Sequence, residues 1–416
     1  MCIDLKSFYA SVECVERGLD PMKVNLVVAD PERSEKTICL AVSPALKALG
    51  VKNRCRIFEI PKNIEYIVAE PRMQLYIDYS AKIYGIYLKY ISKDDIHVYS
   101  IDEVFIDATN YLEFYHTTAR DLSKMITDEI YNTLGIRSTC GIGTNMYLAK
   151  VALDITAKHA DDFIGFLSEE TYKKTLWDHR PLTDFWRVGN GTANRLARYG
   201  IFTMRDIAGA DEDFLYRIFG IDAELLIDHA YGIEPTTIAD IKSYKAKANC
   251  LTSGQVLMRD YNFEEGRLIV KEMMDLLCLD LSDKDLVTNS ITLHVGYSNK
   301  LDLKPAHGTT SLRSETNNAE VMVDAVSYLY EKIVNPKFPI RRVNITCNHV
   351  VEEQFRQFSM FDEEEHTDKN RRIQKTVVNI KKKYGRNSIV KGMNLQDAAT
   401  TMDRNRQIGG HKSGEK

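Results

Sequence analysis

The chain has 416 residues, enough for two to four domains at roughly 150 residues each. Hydrophobic residues make up 44% and charged residues 27%, which excludes disorder throughout, and no run reaches the ~18 uncharged apolar residues of a membrane span. Net charge is −4 but uneven: residues 362–416 hold 13 Lys and Arg against 8 Asp and Glu, the rest 42 against 51, so charge alone neither favours nor excludes a nucleic-acid partner.

Residues 1–4 read as the end of a short apolar strand. Ser7 reads as the N-cap of a helix that puts Phe8, Ser11, Val12, Val15 and Leu19 on one face. Residues 25–29 and 38–42 read as short strands, and 44–49 as a helix opened by Pro44 and closed by Gly50. A helix over 74–91 carries tyrosines at 76, 79, 84, 87 and 90. His97-Val-Tyr-Ser-Ile-Asp-Glu-Val-Phe-Ile-Asp107 predicts strand, four-residue corner and strand. Residues 112–134 read as one long amphipathic helix, 138–142 as a strand and 146–159 as a further helix. This alternation predicts an α+β first domain.

The texture changes near Thr171. Residues 183–232 lack a strand pattern and are broken by glycines at 189, 191, 200, 209 and 220, which predicts a small all-helical unit. Between 244 and 350 the order is strand (246–257), helix (264–281), strand (290–297), strand (309–312), helix (318–334), strand (343–349). That β-α-β-β-α-β order is ferredoxin-like. An acidic run at 362–365, a basic helical stretch near 373–384 and a polar end follow. The eight cysteines form no Cys-x-x-Cys pair and no zinc-like spacing, and no basic flank and apolar centre of a signal peptide opens the chain. Reduced thiols and a cytoplasmic location are expected.

Three acids stand out. Asp4 ends a strand, and Asp102-Glu103 turns a hairpin corner 98 residues later. Singly each has an ordinary explanation, an acid at the start of a helix and a solvated turn. Together they differ, because apolar strands flank the corner and carboxylates at the edge of a buried sheet are costly unless a cation meets them. Three carboxylates converging on one spot can hold two Mg²⁺ for nucleotidyl transfer.

Ile3-Asp-Leu-Lys-Ser-Phe-Tyr-Ala-Ser-Val-Glu13 resembles the opening motif of the Y-family (translesion) DNA polymerases, and Tyr99-Ser-Ile-Asp-Glu-Val-Phe105 resembles their second metal motif. The sequence is most similar to the UmuC-like branch of Gram-positive bacteria and their mobile elements. The likeness runs in order through residues 41–50, Cys140-Gly-Ile-Gly-Thr-Asn145, Ala149-Lys150, Trp186-Arg-Val-Gly-Asn-Gly191, Gly254-Gln-Val-Leu257 and Gly409-Gly-His411. One such motif is weak; the ordered set is specific. It implies an α+β multidomain right-hand polymerase: palm (1–20 and 73–170), fingers (21–72), helix-hairpin-helix thumb (171–236), ferredoxin-like little finger (240–350), then a clamp-binding peptide and basic tail (351–416).

The resemblance makes Asp4, Asp102 and Glu103 the catalytic, metal-binding carboxylates, with the carbonyl of Leu5 as a backbone ligand and two Mg²⁺ as cofactor. Lys6 stands where many relatives carry an acid that is not a ligand, and Asp107 reads as structural. Only three residues precede Asp4, which points to a shortened or truncated first strand. Of Phe8 and Tyr9, Phe8 suits the core, while Tyr9, ~100° round the helix, falls where the family screens the ribose 2′-OH. Lys47, in Ser43-Pro-Ala-Leu-Lys47, matches a basic triphosphate contact, and Pro44 replaces a tyrosine of several relatives. Lys158 matches a further phosphate-binding lysine, although 150–158 is longer than in some relatives.

Gly189 and Gly191 resemble the hairpin of a helix-hairpin-helix, whose backbone N–H groups receive a DNA phosphate; a weaker copy falls at Phe219-Gly-Ile221. Lys242, Lys245, Lys247, Arg341 and Arg342 are further candidates for the DNA backbone. Gln357-Phe358-Ser359-Met360-Phe361 resembles the peptide by which bacterial polymerases dock on the sliding clamp. Primer-template DNA, dNTPs and the clamp are the partners implied, and the branch also includes enzymes that need UmuD-like or RecA-like proteins. The resemblance implies template-directed, low-fidelity translesion synthesis in the DNA-damage (SOS) response. The alternatives are a catalytically silent DNA- and clamp-binding regulator, against which the intact acid trio weighs, and another palm-fold nucleotidyl enzyme such as a cyclase, which needs neither hairpin nor clamp peptide.

Overall fold

A computed structural model describes residues 1–246, 249–353 and 364–414. Two compact units emerge: 1–244 with the residues from Ser413, and 245–412. The first opens with β1 (Cys2–Leu5) and α1 (Phe8–Val15), followed by β2 (Leu26–Val28), β3 (Ala41–Val42), α2 (Pro44–Ala48), β4 (Ile67–Ala69) and α3 (Met73–Tyr90). Next come β5 (Ile96–Val98), β6 (Glu103–Ile106), α4 (Thr109–Phe114), α5 (Ala119–Leu134), β7 (Ser138–Gly143), α6 (Met146–Val151) and β8 (Ile164–Leu167). Helices α7 (Glu169–Thr175), α8 (Asn190–Ala197), α9 (Met204–Ala208), α10 (Glu212–Phe219), α11 (Asp222–Tyr231) and α12 (Ile238–Ser243) complete it.

Although only four residues long, β1 lies at the centre of a five-stranded sheet ordered β5-β6-β1-β7-β8. Its apolar content explains the position, since Cys2, Ile3 and Leu5 are buried from both sides. A separate three-stranded sheet, β3-β2-β4, packs around Val27, Val42, Leu46 and Val51. Gly141 and Gly143 let α6 lie directly on β7: a Cβ at Gly141 would come within 2.0 Å of the Ala149 carbonyl, and one at Gly143 within 2.2 Å of the Ala149 nitrogen.

Three local expectations change. Ser7 precedes α1 but caps nothing; it takes a left-handed conformation (φ 48°). The expected helix over 112–134 is two, broken where His116 turns left-handed (φ 48°) and Thr118 caps α5 by accepting from the Asp121 N–H. The expected helix over 146–159 is α-helical only to Val151, then π-helical over Ala152–Thr156 and 3-10 over Ala157–His159. A π turn is how a helix accommodates one extra residue without losing its course.

The second unit contains β9 (Leu251–Tyr261), α13 (Phe263–Asp283), β10 (Leu286–Tyr297), β11 (Ala306–Thr316), α14 (Ala319–Ile333), β12 (Ile340–Asn348), β13 (Val351–Glu352), α15 (Glu364–Tyr384), α16 (Thr401–Asn405), β14 (Gln407–Ile408) and β15 (His411–Lys412). The β-α-β-β-α-β order forms an antiparallel sheet, β11-β10-β12-β9. Ile291, Leu293, Val295, Val343 and Ile345 alternate onto one face and are fully buried with residues of α13 and α14. Thr292, Thr309, Thr346 and Arg342 alternate onto the other. The chain beyond α15 adds Met393, Ala398 and Ala399 to this core. Among the described residues no helix is long and apolar enough to cross a membrane.

Candidate active site

Strand register brings the acids together. Asp4 stands directly opposite Glu103 in the β1–β6 pair, and the Leu5 N–H donates to the Asp102 carbonyl (2.9 Å). The corner between β5 and β6 is closed by the Tyr99 and Ser100 N–H groups, which both donate to the Glu103 carbonyl (3.0 Å). Thus Asp4, the backbone of Leu5, Asp102 and Glu103 share one end of the sheet.

The side chains do not all converge. Among the described residues no group of three or more His, Cys, Asp or Glu side chains stands ready to hold a metal ion. The Glu103 carboxylate is turned to the Lys150 ammonium (2.7 Å) and accepts from the Cys2 thiol (3.1 Å), while the Asp102 carboxylate accepts from the Ser100 hydroxyl (2.6 Å). Lys150 also pairs with Asp154 (3.1 Å). Burial would lower the Lys150 ammonium, but Asp154 and Glu103 hold it above the usual lysine range. For Asp4 the balance runs the other way: burial, then Asp102 and Glu103, raise its carboxyl to about 7. A buried acid raised by two neighbouring acids is what a divalent cation would relieve, so the donor set fits such an ion.

Of the expected triphosphate contacts, Lys47 lies on α2 and Lys158 beyond the π turn. Surrounding protein lowers Lys47, and the charges reaching it are Asp4, Lys158 and Asp102. Lys158 lies 3.8 Å from Asp154. Lys6 caps the ring of Phe163 (3.9 Å), with its N–H donating to the Arg137 carbonyl (2.9 Å). Ser43 offers no hydroxyl to a nucleotide; it is fully buried, accepting from the Leu26 and Leu46 N–H groups and donating to the Val24 carbonyl. Phe8 is buried in the core, whereas Tyr9 is partly exposed, its ring stacked on Tyr76 at 4.5 Å and 16°. Asp107 accepts from Thr109 at the start of α4, a structural turn.

Gly189 and Asn190 open α8, and a Cβ at Gly189 or Gly191 would meet nothing within 4 Å, so no contact inside the protein requires glycine there. Gly220 (φ 62°) joins α10 to α11. Lys242 is engaged by the Lys93 carbonyl, Lys245 is exposed, Arg341 lies 3.7 Å from Asp260, and Arg342 is exposed on β12 beside Gly296. Gln357, Phe358, Met360 and Phe361 lie outside the described residues, as does Lys247.

Residues whose part was not legible lie inside the quoted motifs. Lys150 enters the sequence reading only within the Ala149-Lys150 motif, with no role, and the structure pairs it with Glu103 and Asp154. Trp186 donates to the Tyr99 hydroxyl (3.2 Å) and packs on Phe105 (5.6 Å), tying the segment before α8 to the Asp102-Glu103 hairpin. Glu13, a helical acid by pattern, is fully buried.

The chain matches the impB/mucB/samB family model over residues 3–154 and that family's C-terminal domain over 252–360. It is 31% identical to UvrX, a Bacillus subtilis (strain 168) protein named for UV-damage repair, over 99% of this chain and 97% of the relative. It is 27% identical to DNA polymerase IV 2 of Halalkalibacterium halodurans, over 98% of each. Among solved structures, a Y-family DNA polymerase chimera of Dbh and Dpo4 superimposes with a TM-score of 0.66 at 20% identity, covering 84% of this chain and 98% of that one. That likeness establishes the palm, fingers, thumb and little-finger fold. The chain therefore belongs to the impB/mucB/samB family of Y-family DNA polymerases, in the UmuC-like branch of Gram-positive bacteria.

Proposed function

We propose that this chain, a DNA-directed DNA polymerase of the translesion class, joins dNTPs to a primer 3′-OH at the end of β1. The observation that carries the reading is the register of Asp4 opposite Glu103, with Asp102 in the adjoining corner, in a chain of this family. A divalent metal cofactor goes with the family. Two Mg²⁺ held by Asp4, Asp102, Glu103 and the Leu5 carbonyl would lower the pKa of the primer hydroxyl and neutralise the triphosphate.

The protein's own groups divide the rest of the work. Lys47 and Lys158 attract the triphosphate towards the acids, an arrangement supported by the charges that reach Lys47. Tyr9 screens the sugar, its partly exposed ring held against Tyr76. The N–H groups at Gly189–Gly191 take a DNA phosphate, which the open space over both glycines supports. Arg342 and the threonines on the open sheet face of the second unit take others. Gln357-Phe358-Ser359-Met360-Phe361 docks a sliding clamp.

Primer extension on an undamaged template with Mg²⁺ and dNTPs tests the core of this reading, wild type beside Asp102→Ala/Glu103→Ala. Extension by the wild type alone is expected. Equal extension by both would remove the acids from catalysis, and no extension by either, with primer-template bound, would favour a silent binder.

A further inference from the structure

Tyr9 does not stand alone. It lies four residues before Glu13 on α1, so the two share a helix face. The Tyr9 ring stacks on Tyr76 of α3, and the Tyr76 hydroxyl donates to Glu13 Oε1 at 2.8 Å. Arg72 grips the same carboxylate with two hydrogen bonds, Nε to Oε1 at 2.9 Å and Nη2 to Oε2 at 2.8 Å, and Arg17 donates to it as well. Glu13 and Tyr76 are both completely buried. One turn further on, the Tyr79 hydroxyl donates to Glu16 (2.6 Å), so the two helices are pinned at two levels.

A buried carboxylate is costly unless its oxygens are fully used, and here both are. Burial alone would raise the Glu13 carboxyl, but the hydrogen bonds from Arg72, Arg17 and Tyr76 outweigh it and hold it below the usual range. It is therefore a charged, four-donor anchor with one geometry. Among the described residues the aromatic ring it holds is Tyr76, and Tyr76 is the floor under Tyr9.

We infer that Glu13 is a positioning residue for sugar selection: by fixing Tyr76 through its hydroxyl and α3 through Arg72, it sets the tilt and depth of the Tyr9 ring against the nucleotide's ribose. The inference rests on Tyr9 being the sugar screen. A screen works by steric exclusion of one hydroxyl, so a ring displaced by a fraction of an ångström discriminates less while still admitting dNTPs. Glu13 touches neither substrate nor metal; its effect passes through Tyr76.

The test compares kcat/KM for a dNTP and the matching rNTP on one primer-template, in the full chain carrying Tyr9→Ala, Glu13→Gln or Tyr76→Phe. The ratio is decisive, because a general loss of folded enzyme lowers both substrates equally. Tyr9→Ala is expected to abolish most of the preference, while Glu13→Gln and Tyr76→Phe each reduce it by about tenfold, the size expected of sub-ångström misplacement. Tyr76→Phe keeps the ring and removes only the hydroxyl, so it decides the matter if Glu13→Gln fails to fold. A relaxed Tyr9→Ala beside wild-type ratios in the other two would overturn the role of Glu13 and leave the sugar screen standing. Unchanged selection in Tyr9→Ala would sink the screen itself, and this inference with it.

Discussion

Asp4 illustrates how one carboxyl can report on the whole site. Its ordinary value is 3.8, and burial followed by Asp102 and Glu103 raises it to about 7. Between those two values the folded chain holds a proton that the unfolded chain has lost, so this group's contribution to stability falls as pH rises through the window. Each unit is about 1.4 kcal/mol, so the penalty at pH 8 is on the order of a few kcal/mol. Asp4→Asn is therefore expected to melt higher than wild type at pH 8 in chelator, with the gap closing below pH 4. A constant gap at every pH would mean that packing, not charge, separates the two. Adding a divalent cation should raise the wild-type melting temperature more at pH 8 than at pH 6, since binding must displace the Asp4 proton in the acid range. Asp102→Ala/Glu103→Ala should lose that gain.

The elements that carry the site were legible where a pattern fixes them. Alternation around the Asp102-Glu103 corner predicts two strands, and Glu103–Ile106 indeed pairs with β1. The thumb's glycine-broken helices and the second unit's β-α-β-β-α-β order followed from the same kind of reasoning. Illegible features were those in which tertiary contact decides. The apolar spacing runs unbroken across His116, so the break between α4 and α5 has no periodic signal. A π turn likewise leaves the apolar spacing nearly intact, so the expectation is an ordinary helix over 146–159. That turn makes a prediction of its own. Lys158 follows it on the 3-10 turn, and Lys158→Ala should take one cation from the triphosphate while leaving the π winding in place. The expected result is a dNTP KM raised about tenfold with primer-template affinity unchanged, the signature of a lost ground-state contact. An unchanged KM would take Lys158 out of the triphosphate site. Gly143→Ala, by contrast, should cost several kcal/mol, because the new Cβ meets backbone rather than a side chain that can move.

At the scale of the molecule, a chain of net charge −4 must grip DNA through local patches. Primer-template affinity is then expected to fall linearly on a log–log plot against salt, with a slope near 0.9 per phosphate engaged, and a flat response would contradict phosphate contacts. The C-terminal stretch reads in sequence as a polar tail, but its contacts make it part of the second unit. Glu272, buried on α13, accepts from the Asn394 side chain (2.7 Å) and the Thr400 N–H (2.8 Å). Lys391 pairs with Asp275 (2.6 Å), and Arg404 donates to Gln255 (3.0 Å). Removing this stretch would strip a buried carboxylate of both donors and expose the apolar surface that Met393 and Ala398 cover. An unsatisfied buried charge costs upwards of 1–3 kcal/mol, roughly, before the apolar loss is counted. A chain ending at Glu353 is therefore expected to show a melting transition for the second unit several degrees below that of the full chain. Asn394→Leu should give part of the same shift, because it removes one donor and leaves the backbone in place. If the shortened chain melted like the full one, the contacts to Glu272 and Asp275 would be adornment and the stretch a tail after all.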